Sequence, residues 1–225
     1  MLHHPMILQC PLFQGLPPDA LEYALSYFEA HVKAYEKGDF LHQVSFPLER
    51  FGLVLSGTIQ VSMDDMDGHH IIMNNVSAGG LFGEAYCFLG TDAPIYICAV
   101  TEAEVLWMRP TRVKAPRLPL QERDQMLANR FVAALASRTL SLNQRIQILS
   151  RRTLREKLIT FLSQYATAQG DTFTVPFDRA SMANFLGADR SALSRELGAL
   201  KREGVVEFER SRFRLLYPTD AQNEK

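Results

Sequence analysis

Cysteine and long apolar runs are both scarce in this sequence. Only three of its 225 residues are cysteines, Cys10, Cys87 and Cys98, and no two form a Cys-x-x-Cys pair. Three separated cysteines are expected to be reduced, and they are too few for an iron–sulfur cluster, which takes about four. No apolar run reaches the ~20 residues of a membrane-spanning helix. The N-terminus also lacks the basic start and long apolar core of a signal peptide. The sequence therefore predicts a cytoplasmic protein without membrane contact.

Histidine is also scarce, and none follows residue 70. A cupin-type metalloenzyme would need a close His-x-His pair, a glutamate and a distant histidine on facing strands. The adjacent His69 and His70 would instead point to opposite faces of a strand. We predict no enzyme, no metal and no cofactor. Haem on His69-His70 or His3-His4 stays open as an alternative, as does redox sensing by Cys87 or Cys98, although neither thiol has a basic neighbour in sequence.

The net charge of −1 hides an asymmetry between the two ends of the chain. Residues 1–150 carry a formal charge of −4, and residues 151–225 carry +3. This distribution indicates two parts with different partners, of which the basic part suits a nucleic acid.

Residues 33–108 have the pattern of a small all-β domain. Short runs rich in Val, Ile and Leu are interrupted by turn signals about every ten residues, and Asp67-Gly68 between two runs predicts a hairpin. Seven or eight short, evenly spaced strands predict a small barrel or jelly roll. A short amphipathic helix with Leu21, Leu25 and Phe28 on one face, capped at Asp19 or Pro18, is predicted before it.

A long helix is predicted from Gln121 to about Leu149, where the chain has no Pro or Gly. Its apolar residues recur mostly at spacings of three or four: Leu127, Phe131, Leu135, Leu142, Ile146 and Leu149. A helix of this length extends about 43 Å, which is more than a small domain buries. The pattern predicts a paired dimer seam, and packing against the chain's own barrel is the alternative.

The segment FDRASMANFLGADRSALSRELGALKREGVVEF predicts a helix-turn-helix. Asp178 is expected to cap a first helix ending at Phe185, Gly187 to form the turn, and Asp189 to cap a second helix ending near Glu203. The following VVEFERSRFRLLY alternates as two short strands, a wing. The first turn of the second helix exposes three donors suited to base edges in the major groove: Arg190, Ser191 and Arg195.

Taken together, these motifs resemble the CRP/FNR family of bacterial transcription regulators. The resemblance runs from PLFQGLPPDAL through FGLVLSGTIQV and GGLFGEAYCFLG to DRSALSRELGALKREGVV, about residues 8–217. It implies an α+β chain with an N-terminal double-stranded β-helix (jelly roll) sensor domain, a long dimerisation helix and a C-terminal winged helix-turn-helix. The corresponding bounds are 1–120, 121–150 and 151–217, with a tail at 218–225.

The resemblance also implies a function, namely a homodimer that reads a palindromic promoter site under the control of an effector. By family position, Arg190, Ser191 and Arg195 would face bases, and Arg179 and Ser194 would contact phosphates. Ser191 stands where the family usually has glutamate, so the preferred site is expected to differ. Contact with RNA polymerase is left open.

The effector pocket departs from the cyclic-AMP-responsive members, in which a Gly-Glu pair is followed by Arg-Ser. Gly83-Glu84 matches the first pair, but Ala93 and Pro94 replace the second, and residues 80–101 contain no Lys, Arg or His. Without that cation, the free energy of binding a desolvated phosphate would be less favourable by several kcal/mol. We therefore predict an effector other than cyclic AMP, namely an uncharged or aromatic molecule. The alternative is that no effector binds there and the aromatic rings simply fill the roll. The candidate pocket residues are Phe82, Gly83, Glu84, Tyr86, Ala93, Pro94, Tyr96, Leu142 and Asn143.

Overall fold

The computed structural model describes residues 4–44, 46–64, 66–67, 69–116, 118–119, 121–175 and 177–216, with residue 70 described by its backbone only. The chain divides into two compact units, Met1–Arg138 and Thr139–Lys225. The division falls inside one long helix. Over the described part of the chain, no helix combines the length and apolarity needed to cross a membrane.

In the part of the first unit that the structure describes, eight strands form two four-stranded antiparallel sheets, which confirms the jelly roll. The strands are β1 (His31–Tyr35), β2 (Phe40–His42), β3 (Phe51–Ser56), β4 (Thr58–Asp64), β5 (His70–Ser77), β6 (Leu81–Phe82), β7 (Tyr96–Ala99) and β8 (Ala103–Met108). The sheet orders are β1-β8-β3-β6 and β2-β7-β4-β5. The predicted hairpin joins β4 to β5, although Gly68 itself lies outside the described residues.

The interior of the roll is filled by apolar and aromatic side chains. Trp107 and Phe82 pack edge to face with ring centroids 5.4 Å apart. The indole N–H of Trp107 donates to the hydroxyl of Tyr35 at 2.9 Å. Gly52 leaves the room that Phe82 occupies, because a Cβ at Gly52 would lie 2.2 Å from that ring. The aromatic residues therefore contribute to the core of the roll.

Among the described residues, five helices belong wholly or partly to the first unit. They are α1 (Pro5–Gln9), α2 (Pro18–Tyr27), α3 (Glu84–Leu89), α4 (Thr111–Lys114) and α5 (Glu122–Leu149). The sequence did not predict α1, and the capping position of α2 is Pro17, not Asp19 or Pro18. Proline suits the first turn of a helix because its missing N–H would have no intrahelical partner.

The first half of α5 packs on the outer face of β3 and β8. Leu127 and Phe131 are fully buried there, and Phe131 lies 5.3 Å from Phe51 between ring centroids. The prediction that these two residues belong to a dimer seam is therefore wrong. Helix α5 has two apolar faces, and a list of spacings cannot distinguish them.

The second unit is a small α/β domain with its own core. After the end of α5 it contains α6 (Leu154–Gln169), β9 (Thr172–Thr174), α7 (Arg179–Leu186), α8 (Arg190–Arg202), β10 (Val206–Glu209) and β11 (Arg212–Leu215). The antiparallel hairpin β10-β11 is the predicted wing, and β9 pairs with β11. Thr153 begins α6 with a capping box, because its hydroxyl accepts from the Glu156 N–H and the Glu156 carboxylate accepts from the Thr153 N–H.

Candidate nucleic-acid interface and effector pocket

The helix-turn-helix segment has the predicted glycine turn and the predicted cap of its first helix. Gly187 adopts the left-handed conformation at φ 63°, and Asp178 accepts a hydrogen bond from the Ser181 N–H at 2.7 Å. That bond lowers the pKa of Asp178. Asp189 occupies the N-cap position of α8, but its side chain makes no capping bond there, so the predicted cap is correct in position only.

Helix α8 separates an apolar face from a basic one. Leu193, Leu197 and Leu200 are fully buried. Arg190, Ser191 and Arg195 are exposed, as predicted from the sequence. The first two begin the helix, and Arg195 follows one turn later. Three hydrogen-bonding side chains are therefore exposed near the N-terminus of one helix. The DNA major groove is wide enough to admit an α-helix.

The two predicted phosphate contacts have intramolecular partners. The hydroxyl of Ser194 donates to the Arg190 carbonyl at 2.9 Å. The guanidinium of Arg179 lies 5.0 Å from the ring centroid of Phe208 and donates to the Arg210 carbonyl at 3.1 Å. Desolvation lowers the pKa of Arg179. In this structure Arg179 joins α7 to the wing.

Arg155 is a residue that sequence reasoning missed. From α6 it forms ion pairs with Glu203 and, at 3.4 Å, with Glu196, which lie just after and within α8. The hydrogen bond to Glu203 raises the pKa of Arg155, and the same bond lowers the pKa of Glu203. No sequence signal distinguishes this arginine from its exposed neighbours, because its acidic partners are about forty residues away.

The predicted effector pocket is centred on a buried carboxylate that already has a cation. Gly83 takes the left-handed conformation before α3, and Glu84 begins that helix with its side chain only 6% exposed. The guanidinium of Arg138 lies 3.0 Å from Oε1 of Glu84 and donates to the Leu81 carbonyl at 2.7 Å. Oε2 of Glu84 has no hydrogen-bond partner among the described residues.

Arg138 is the second residue that sequence reasoning missed. The absence of cations from residues 80–101 describes only the loop, whereas the fold brings Arg138 to it from α5. A signal was present, since Arg138 interrupts an apolar stripe of the long helix at a spacing that faces the roll. A single sequence could not identify Glu84 as its partner.

The other proposed pocket residues differ in their burial and surroundings. Phe82 and Ala93 are buried in the core of the roll, and Tyr86 packs partly against it. Tyr96 lies on the opposite strand face from the buried Ile97, with its ring centroid 6.4 Å from that of Phe40. Pro94 is exposed, as are Leu142 and Asn143 on α5 in the second unit.

The cysteines are poorly suited to thiolate chemistry. Burial raises the pKa of Cys10 and that of Cys87 to about 11, and it also raises the pKa of Cys98. Lys114 and Arg109 oppose this shift at Cys87, so the fold does supply basic neighbours that the sequence did not show, but desolvation dominates.

A sensor-like β-roll, a long helix and an exposed basic recognition helix in a winged domain define a DNA-binding transcription regulator of two-domain type. A model described as cyclic nucleotide-binding domain matches residues 32–115, and one described as Crp-like helix-turn-helix domain matches residues 156–220. The chain belongs to the CRP/FNR family of transcription regulators.

Several relatives match this chain over most of their length. The cyclic AMP receptor protein of Thermus thermophilus is 27% identical over 197 residues, which cover 87% of this chain and 88% of that protein. The global nitrogen regulator of Synechococcus elongatus is 23% identical, with 83% and 86% covered. The crystal structure of Thermus thermophilus catabolite activator protein superposes with a TM-score of 0.50 at 26% identity, over 91% of this chain and 93% of that one.

Proposed function

We propose that this protein is a homodimeric, sequence-specific transcription regulator in the cytoplasm, controlled by an effector other than cyclic AMP. The two α8 helices of a dimer would enter successive major grooves of a palindromic promoter site, about 34 Å apart. Effector binding would shift the population of dimer conformations and so the spacing of these helices, after which RNA polymerase would be recruited or blocked.

In the proposed function, the first turns of α8 contact the DNA bases. Arg190, Ser191 and Arg195 are exposed there, while the leucines of the opposite face are buried. Arg can bond guanine O6 and N7 with two donors, which discriminates by about 1–3 kcal/mol per base pair. Ser194 and Arg179 would act through phosphate contacts or by holding the helix and the wing in place.

The second half of α5 supports the homodimer. Exposed apolar side chains follow a heptad spacing along it, in contrast to the buried Leu127 and Phe131. They are Leu142, Ile146 and Leu149, exposed by 51%, 63% and 38%. Apolar residues at such spacing form the seam of paired helices.

The Glu84–Arg138 pair supports an effector other than cyclic AMP. The only described cation bonded to this carboxylate is Arg138, and Glu84 neutralises its charge. A cyclic phosphate would have to displace that pairing and lie beside the carboxylate. We expect no thermal stabilisation by cyclic AMP at millimolar concentration, and a shift of several degrees would contradict this part of the proposal.

The decisive experiment measures binding of full-length protein to its own upstream promoter DNA as a function of salt. Arg195→Ala should abolish specific binding while the oligomeric state stays unchanged. Lys37→Ala, which removes one positive charge from a turn of the roll, is the matched control and should bind like the wild type. Unchanged promoter affinity of Arg195→Ala would refute the assignment of α8.

A further inference from the structure

The open end of the roll contains a cleft of about 480 Å³, which we call the mouth cleft. It lies between β1, β2, the loop before β3 and the end of β8. Its volume falls in the range of about 300–1,000 Å³ that small-molecule sites occupy, and mouths of β-barrels are frequent places for them. The lining residues do not include Gly83, Glu84 or Arg138. The lining of the mouth cleft therefore does not include the Glu84–Arg138 ion pair.

Aromatic side chains form much of its wall. Trp107 is buried with 6% exposure and is held by its hydrogen bond to Tyr35. At the rim, Phe40 and Phe46 are 56% and 62% exposed. Exposed large apolar side chains next to a concave apolar surface are typical of binding sites, because a ligand removes them from water. This wall suits a flat apolar group.

The charged groups at the cleft leave one cation without a carboxylate. Arg50 and Arg109 approach Glu29 at 3.8 and 3.9 Å, and Arg109 also pairs with Glu49 at 2.5 Å. Lys33 has no carboxylate partner among the residues that the structure describes, and its Nζ lies 4.8 Å from the ring centroid of Tyr35. The surplus of one positive charge complements a monoanion.

One further donor in the wall is unsatisfied. Nε of Arg109 is buried and has no acceptor in the described part of the chain. Buried polar atoms are nearly always hydrogen-bonded in folded proteins. Because this atom has almost no solvent-accessible surface, a ligand would reach it only after the Arg109 side chain moved.

We propose that the mouth cleft binds an aromatic monocarboxylate. The ring packs against Trp107 and the phenyl groups of the rim, and the carboxylate accepts from Lys33. Two wall residues touch residues 82–83, which directly precede α3. Leu48 lies so close to Gly83 that a Cβ on Gly83 would be 2.7 Å from Cδ2 of Leu48. Trp107 packs on Phe82. Occupancy of the mouth cleft is thus placed to influence the segment that begins α3.

Trp107 is the only tryptophan of the chain, so all tryptophan emission comes from a residue in the wall of this cleft. The probe is benzoate, with benzamide as the neutral isostere, and equilibrium dialysis of the full-length protein measures binding independently. We expect a saturable change in Trp107 emission with benzoate, and about fivefold weaker binding of benzamide. Lys33→Gln should weaken benzoate binding by a similar factor. Lys37→Gln, on the turn after β1, should leave it unchanged.

Four results would overturn the proposal, of which three concern benzoate affinity. These are absence of benzoate binding at millimolar concentration, equal affinity for benzamide, and equal benzoate affinity of the Lys33→Gln variant and the wild type. Binding by dialysis without any change in Trp107 emission would place the ligand elsewhere and would also overturn it.

Discussion

At the scale of single residues, Gly52 and Phe82 determine how the interior of the roll is filled. Gly52 lies in β3 next to Trp107, and the absence of its side chain lets the Phe82 ring lie against the strand. A methyl group there would meet the ring at 2.2 Å, well inside van der Waals contact. The glycine is thus required by packing and not by backbone conformation.

We predict that Gly52→Ala destabilises the protein by about 2 kcal/mol, since overpacking a core forces neighbouring side chains to move. The free energy of unfolding in urea, followed by Trp107 fluorescence, measures this. In Gly198→Ala the new methyl meets only the end of Arg202, at 3.6 Å in the interior of α8. That change should stabilise the second unit slightly, by about 0.5–1 kcal/mol, and is measured by circular dichroism because Trp107 lies in the first unit. A neutral Gly52→Ala would show that Phe82 is free to move.

The Glu84–Arg138 ion pair is expected to stabilise the first unit. Arg138→Gln leaves a carboxylate that is 6% exposed without its cation. Because the arginine itself is 39% exposed, we expect a loss of about 2 kcal/mol, less than for a fully buried pair. Arg130→Gln, on the same helix, removes a bond to an exposed carbonyl and should lose less.

The double variant Glu84→Gln/Arg138→Gln completes a double-mutant cycle on the same urea measurement. It should lose less stability than the sum of the single variants, because neither charge is left unpaired. Additive losses, or equal losses for Arg130→Gln and Arg138→Gln, would refute the role of the pair.

At the scale of elements, helix termini make the second unit sensitive to acid. Hydrogen bonds to the backbone and side chain of Ser181 hold the pKa of Asp178 below its ordinary value of 3.8. The pKa of Glu156 is lowered by its bond to the Thr153 N–H at the start of α6. A depressed carboxyl pKa stabilises the fold above the unfolded-state pKa, and this contribution is lost as the pH falls through the folded-state pKa.

We therefore predict that Asp178→Asn reduces the loss of stability as the pH is lowered below 3.8. Asparagine retains the capping acceptor but cannot be protonated in this range. Thermal unfolding followed by circular dichroism from pH 7 downward tests the prediction. Asp171→Asn, an exposed carboxylate of the same unit that caps no helix, should keep the wild-type pH profile. Identical profiles for Asp178→Asn and the wild type would contradict it.

At the scale of the whole molecule, the proposed homodimer depends on the exposed apolar stripe of α5. We predict that Leu142→Asp converts the dimer to a monomer and weakens promoter binding, because two carboxylates would meet in the seam. Sedimentation velocity measures the change. Gln144→Asp introduces the same charge on the same helix away from the stripe and should remain dimeric. A dimeric Leu142→Asp variant would place the interface elsewhere.

The sequence by itself determined the order of elements, the jelly roll and the winged helix-turn-helix. These features depend on local signals, namely strand alternation, the Asp-Gly and Gly187 turns, and the capping position of Asp178, which act between residues close in the chain. The exposed donors of α8 could be predicted for the same reason, since the leucine spacing fixes the opposite face.

Only the tertiary structure decided which groups meet over long sequence distances. It assigned Leu127 and Phe131 to the roll and left Leu142 and Ile146 exposed. It also paired Glu84 with Arg138, and Arg155 with Glu203. Ion pairs and packing faces depend on where the backbone brings distant side chains, and that position is set by the whole core. A loop without cations could therefore still receive one from a helix more than fifty residues away.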